Sequence, residues 1–485
     1  MMNIIKNKSH FILYICLFFS MNSLAQKKPR NVVVMLVDDM GWMDLSCQGS
    51  KFYETPNIDA LAKDGVKFKR GYAACPVCSP SRAAILTGKY PPKTGITDWI
   101  DSRDPAWTMN TKLLPAKNKL NIEPAENTIA ELLKTAGYDT FFSGKWHLGD
   151  EGFYPENNGF DINKGGYSGG HPASYFAPYK NPRLTDGPTG EYLPERLANE
   201  TCQFIKDSSP DKPFFAYHSF YLVHTPLQAK ADLEAKYKAK REALGLKDDK
   251  VKIGDDVFHK LPFREVRTVQ SHAKYAAMVE ALDKAVGQIV QTLKDKGLYE
   301  NTLIVFTSDN GGLSTAEGSP TSNMPLRGGK GYMYEGGIRV PFIAKIPNHK
   351  SNHSESDLAV SGIDLFPTIA AFAGVNLPQN NSIDGKNIVA LLDQKKPTER
   401  TLFWHYPHYG NQGGGPVSCI MEGNMKLIYW YDSQKYELFD IGNDLGENND
   451  LVSAEPKKFQ ALKEKLDKWL TENNAKFPTV NLNYK

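Results

Sequence analysis

Asn31-Val32-Val33-Val34-Met35-Leu36-Val37 is an unbroken apolar run that stops at two acids, Asp38-Asp39. A stretch that is apolar at both alternating positions reads as a strand in the middle of a parallel sheet, with helices on both faces. Residues 302–307 repeat the pattern and lead into Ser308-Asp309-Asn310-Gly311-Gly312. Two strands therefore deliver polar oxygens at their C-terminal ends, where open α/β sheets bind ligands. Helices alternate with these strands. Thr55-Pro56 opens one that Gly65 closes, residues 128–135 form another before Gly137, and residues 138–142 are the next strand. Tyr275, Met278, Val279, Leu282, Val286, Ile289, Val290 and Leu293 recur at three and four, which predicts a long amphipathic helix ended by Gly297. The fold class is α/β.

Beyond Leu392 the pattern changes. Residues 401–406, 419–422, 425–431 and 436–439 read as short strands, and 456–473 as an amphipathic helix, so a smaller C-terminal α+β domain is expected on an antiparallel sheet. The division predicted is 1–25 as a signal peptide, 26–395 as the catalytic domain and 396–485 as the C-terminal subdomain. Residues 229–256, dense in Lys, Asp and Glu, read as a solvated helical insertion near the site.

The 485 residues carry a formal net charge of +3, with lysines and acids mixed throughout, which excludes a basic stripe for nucleic acid. At the N-terminus, Lys6 and Lys8 precede an apolar core at 11–19, and Ser23-Leu24-Ala25 is a small-x-small cleavage site. Ile15 stands before Cys16 where a lipobox needs a small residue, so no membrane anchor is expected in the mature form. The expected location is periplasmic or secreted. Five cysteines remain: Cys47, Cys75, Cys78, Cys202 and Cys419. Without Cys78, four are left, enough for two disulfides whose pairing the spacing does not fix. Cys75 and Cys78 also read as C-x-x-C, but the surrounding thioredoxin pattern is missing, and no second Cys/His pair supports zinc.

The most specific run is Cys78-Ser79-Pro80-Ser81-Arg82, followed by Ala83-Ala84-Ile85 and Leu86-Thr87-Gly88. Ser79 or Ser81 can cap a helix whose first turn favours Pro80, which puts position 78 at a helix N-terminus where backbone N–H groups favour a sulfate or phosphate. An isolated cysteine there is ordinarily a buried core residue. The complete run resembles the signature of the type I sulfatases of the alkaline phosphatase superfamily, and the resemblance extends from residue 31 to about residue 450. It implies a large mixed sheet sandwiched by helices, and conversion of Cys78 to formylglycine (3-oxoalanine) by a maturation enzyme that reads the Pro and Arg.

Further residues take their expected roles from this resemblance. Asp38, Asp39, Asp309 and Asn310 match the family's metal positions and, with residue 78, imply an oxygen cage suited to calcium (Ca2+). Asp38-Asp39 alone reads equally well as a strand-end turn. Gly144-Lys145-Trp146-His147 resembles the family's Lys/His segment, implying Lys145 on a sulfate oxygen and His147 as the base that acts on residue 78. His224-Thr225-Pro226 implies His224 as general acid. Arg327-Gly328-Gly329-Lys330 implies Lys330 beside it at the leaving oxygen, with Arg82 as a further cation. His218 reads as a packed core histidine. The reaction expected is hydrolysis of sulfate esters, and the substrate a sulfated carbohydrate, since aromatic planes stack on sugars and histidines bind hydroxyls. Candidate substrate contacts are His171, Arg327, His405 and His408, each of which also reads as packing. Two alternatives stand beside this: a phosphoesterase or phosphonate monoester hydrolase of the same superfamily, and a catalytically silent glycan-binding protein.

Overall fold

A computed structural model describes residues 30–100, 110–247, 250–252, 265–378, 382–394 and 399–484. The expected signal peptide, the domain boundary at 395/396 and part of the 229–256 insertion lie outside the described residues. The strands that build the central sheet are β1 (Asn31–Val37), β2 (Val66–Tyr72), β3 (Asp139–Gly144), β4 (Ile162–Lys164), β5 (Phe214–Ser219), β6 (Thr302–Ser308), β7 (Phe342–Lys345) and β8 (Ser354–Ser361). Their order across the eight-stranded sheet is β8-β2-β7-β6-β1-β5-β3-β4. Only β7 runs against its neighbours β6 and β2, so the sheet is mixed, as expected.

The unbroken run in β1 is explained by cover on both faces. Val33, Met35 and Val37 point into one apolar core, packed under helices α1 (Pro56–Asp64), α4 (Leu193–Asp207) and α6 (Ala273–Asp295). Val32, Val34 and Leu36 point into the other, under α2 (Cys78–Thr87), α3 (Ile129–Thr135) and α7 (Leu365–Ala373). With a side-chain period of two, successive residues of β1 serve the two cores in turn, so both sets are apolar from Val32 to Val37. His218 in β5 behaves as a core histidine: it is fully buried, and its Nδ1 shares a 2.6 Å hydrogen bond with Thr201 Oγ1.

The C-terminal segment forms a four-stranded antiparallel sheet from β9 (Thr401–Tyr406), β10 (Val417–Glu422), β11 (Met425–Trp430) and β12 (Lys435–Asp440). Ile420, Leu427 and Leu438 on one face meet Leu462, Leu466 and Trp469 of helix α8 (Pro456–Glu472). On the other, Leu402, Trp404, Met421 and Ile428 pack onto Tyr72, Val77, Tyr332 and Ile338 of the main body.

Three expectations are corrected. The helix at Cys78 starts from Val77 without a side-chain cap: Ser79 Oγ accepts from Ile100 N, and Ser81 Oγ is spent on the Cys75 backbone. The five described cysteines are all unpaired. The described part of the charged insertion, with α5 (Ala231–Ala243), lies against α6 through Lys236–Glu280, and none of its described residues lines the cleft below. No helix of the described residues is long and apolar enough to cross a membrane.

Candidate active site

Adjacent strands β6, β1, β5 and β3 end along one edge of the sheet, in register at Val37↔Ser308, Leu36↔Ser219 and Gly144↔Ser219. The residues that follow each strand therefore converge: Asp309 and Asn310, Asp38 and Asp39, His224, and Lys145 with His147. The parallel neighbours β3 and β5 end so close together that a Cβ on Gly144, whose φ is +101°, would collide with the Ser219 carbonyl oxygen. Asp39 and His147 themselves hold φ near +60°, a costly conformation for side-chain-bearing residues that fixes their direction.

Helix α2 enters the same space N-terminus first, with Cys78 as its first residue. Arg82, one turn on, lies on the same face. Its guanidinium is buried against Asp309 (Nε to Oδ2, 2.8 Å), the Lys145 carbonyl (3.0 Å) and Ser219 Oγ (2.7 Å), tying the helix to three strand ends.

The carboxylates form a buried, charged floor. Lys145 Nζ donates to both oxygens of Asp38 at 2.9 and 2.8 Å, and Lys330 Nζ donates to Asp39 Oδ2 at 2.9 Å. Burial pushes the Asp38 carboxyl well above its usual range; Lys145 opposes this and the neighbouring Asp309 and Asp39 add to it. At Asp39 burial acts in the same direction but Lys330 and His224 outweigh it, and its carboxyl lies below the usual range. Asn310 Nδ2 donates to Asp39 Oδ1 at 2.8 Å, while its buried Oδ1 has no partner among the described residues. An amide oxygen left unmatched beside three buried carboxylates is a donor set that fits a hard cation. Asp38, Asp39 and His224 also present ligand atoms within 4.8 Å of one another.

Above this floor stand the two histidines. His147 Nε2 bonds the Ile100 carbonyl oxygen at 2.7 Å, so it carries the proton, and the bare Nδ1 faces Cys78 Sγ at 3.3 Å. Burial and then Lys145 push the ring well below its ordinary pKa, keeping it neutral and able to accept a proton. His224 Nδ1 donates to the Thr225 carbonyl at 2.8 Å, and its Nε2 accepts from Lys330 Nζ at 3.1 Å. Burial and Lys330 lower His224 to about 3, whereas Asp39 outweighs the burial of Lys330 and raises it. The proton at this end of the site resides on Lys330.

A cleft of about 420 Å³ opens over Cys78, His147, His224 and Lys330. Arg82 and Lys145, expected to face a sulfate, lie beneath it on the carboxylates. His171 is at the rim, its ring stacked parallel to His224 at 6.1 Å. The other three rim candidates are elsewhere. His405 is buried in the C-terminal sheet between Ser418 Oγ and the Lys476 carbonyl, and His408 is buried against Thr97 Oγ1. Arg327 bonds the Glu447 carbonyl and stacks on Tyr334. The sequence reading missed Glu317 and Gln412, which line the cleft. The only signal for Gln412 was its glycine-rich turn, Gly410-Asn411-Gln412-Gly413-Gly414-Gly415.

The sequence profile described as Sulfatase matches residues 30–375, and one described as the C-terminal part of N-sulphoglucosamine sulphohydrolase matches 329–476. A protein of Formosa agariphila named "Sulfatase" is 34% identical, covering 93% of this chain and 90% of its own. Human N-acetylgalactosamine-6-sulfatase is 31% identical over 88% of this chain and 77% of its own. The crystal structure of Ps i-CgsB in complex with k-i-k-neocarrahexaose matches with a TM-score of 0.72 at 30% identity, covering 92% of this chain and 94% of that one. A profile that spans the whole central sheet and every strand end of the cleft places this chain in the type I sulfatase family of the alkaline phosphatase superfamily, as a sulfuric ester hydrolase.

Proposed function

We propose that the protein is an exported, calcium-dependent sulfatase that removes O-sulfate groups from a sulfated polysaccharide or its oligosaccharides. The observation that carries the catalytic reading is the bare Nδ1 of His147 aimed at the side chain of residue 78 from 3.3 Å. The sugar reading is supported by a relative named for a sulfated amino sugar and a neighbour solved with neocarrahexaose. Export rests on the N-terminal sequence.

Hydrolysis breaks the S–O bond, places a water-derived oxygen on sulfur and leaves a proton on the departing alcohol. In the reading proposed, residue 78 is carried as formylglycine, whose hydrate supplies a nucleophilic hydroxyl and a second hydroxyl through which sulfate can be released. His147 takes the proton from that side chain. Asp38, Asp39, Asp309 and Asn310 would hold calcium, which supplies positive charge against the sulfate oxygens. Lys330 and His224, joined by their hydrogen bond, face the leaving oxygen from the opposite side, with the ammonium as proton source. Arg82 and Lys145 hold the carboxylates in place.

Comparing 4-nitrophenyl sulfate, 4-nitrophenyl phosphate and a panel of sulfated sugars before and after exhaustive chelation tests this reading. Sulfate esters should be preferred, chelation should abolish turnover, and calcium should restore it better than zinc. Recovery with zinc alone, or preference for the phosphate ester, would contradict it.

A further inference from the structure

The lining of the cleft includes two residues with no role in the chemistry above, Glu317 and Gln412, the latter carried by the turn between β9 and β10. Gln412 is only 5% exposed, and its side chain lies close to the backbone of Gly331, next to Lys330, and of Gly410. Its Nε2 donates to Glu317 Oε1 at 3.2 Å, which fixes the orientation of the amide. The buried Oε1 is left with no partner among the described residues. Thr225 Oγ1 donates to the second carboxylate oxygen, Glu317 Oε2, at 2.9 Å. Glu317 is therefore pinned from both ends, at a φ of +52°, beside the general-acid pair. It is near enough for its charge to act on both Lys330 and His224.

A carboxylate at the mouth of a site for anions is costly unless it selects. The Glu317 carboxylate is exposed at the cleft and accepts hydrogen bonds, and the buried amide of Gln412 holds it there. Together they suit a neutral sugar hydroxyl and oppose a sulfate. We infer that Gln412 and Glu317 form a leaving-group subsite that reads an unsubstituted hydroxyl next to the scissile sulfate ester and rejects a sugar carrying a second sulfate there. This rests on the sulfatase reading above and adds to it the sulfation pattern of the substrate.

The test uses full-length protein whose residue 78 has been checked by peptide mass. It is assayed on 4-nitrophenyl sulfate and on methyl galactosides and glucosides bearing one sulfate at each hydroxyl or two on neighbouring hydroxyls. The wild type should prefer a monosulfated sugar over its vicinally disulfated counterpart. Gln412→Leu should lower the ratio of kcat/KM on that sugar to kcat/KM on 4-nitrophenyl sulfate by about 10-fold. Glu317→Gln, an exposed and isosteric change that guards against misfolding in the first variant, should raise the disulfated-to-monosulfated ratio by about 10-fold or more. Ratios within about 2-fold of wild type in both variants, or a wild type that prefers the disulfated sugar, would overturn the subsite. A wild type active on 4-nitrophenyl sulfate but on no sugar removes the sugar reading and the subsite with it. Inactivity on 4-nitrophenyl sulfate as well, with residue 78 converted, is the separate failure of the sulfatase reading.

Discussion

The two histidines look interchangeable in sequence, since each sits in a short loop after a strand, but their hydrogen bonds differ. His147 presents a bare nitrogen to residue 78, whereas His224 is coupled to the Lys330 ammonium. His224→Ala should therefore cost most with poor leaving groups such as sugar alcohols, by about 10²–10⁴-fold, and least with 4-nitrophenyl sulfate, which leaves without a proton. His147→Ala should impair both substrates alike. Steady-state rates on the two esters decide this, and equal losses for His224→Ala would show that the roles are misassigned. The acids, the lysines and these histidines were legible because each follows a recognisable strand or lies in a segment that resembles a family. Their hydrogen-bonding directions were not legible, and so Arg82 and Lys145 were expected on the substrate when they lie on Asp309 and Asp38. His405 and His408 failed for a related reason: an aromatic-rich strand end reads the same whether it faces a rim or a buried sheet.

At the scale of elements, the basic loop that carries Lys330 is held by a buried charge cluster spanning the two sheets. Lys426 of β11 donates to Glu335 Oε1 at 3.1 Å and to Glu447 Oε1 at 2.8 Å, all three fully buried. Glu335 also accepts from Tyr72 at 3.0 Å, and burial pushes Glu447 up to about 7. Lys426→Met leaves buried Glu447 without a cation and Glu335 with Arg339 alone, 3.3 Å away, and should lower unfolding free energy by about 3–5 kcal/mol. Denaturant unfolding measures this, and a loss under about 1 kcal/mol would mean that the cluster does not hold the loop. None of it was readable beforehand, because the three residues are far apart in sequence and each looks like an ordinary surface charge. The strands and helices were readable, since their apolar periods are local.

At the scale of the molecule, the sheet gathers an acidic floor, the helix N-terminus at residue 78 and two differently coupled histidines at one edge, while a turn of the C-terminal sheet adds Asn411 and Gln412 to the cleft lining. The parallel core followed from runs apolar on both faces, but the contribution of the turn at 410–415 to the cleft depends on packing between sheets that no local pattern encodes. The central claim is that residue 78, carried as an aldehyde, is the reacting group. Mass spectrometry of the peptide spanning residue 78, on preparations of graded sulfatase activity, tests it most directly. The account predicts that the fraction of peptide carrying an aldehyde in place of the thiol rises in proportion to turnover and that Cys78→Ala has none; fully active protein holding only unmodified cysteine at that position would contradict it.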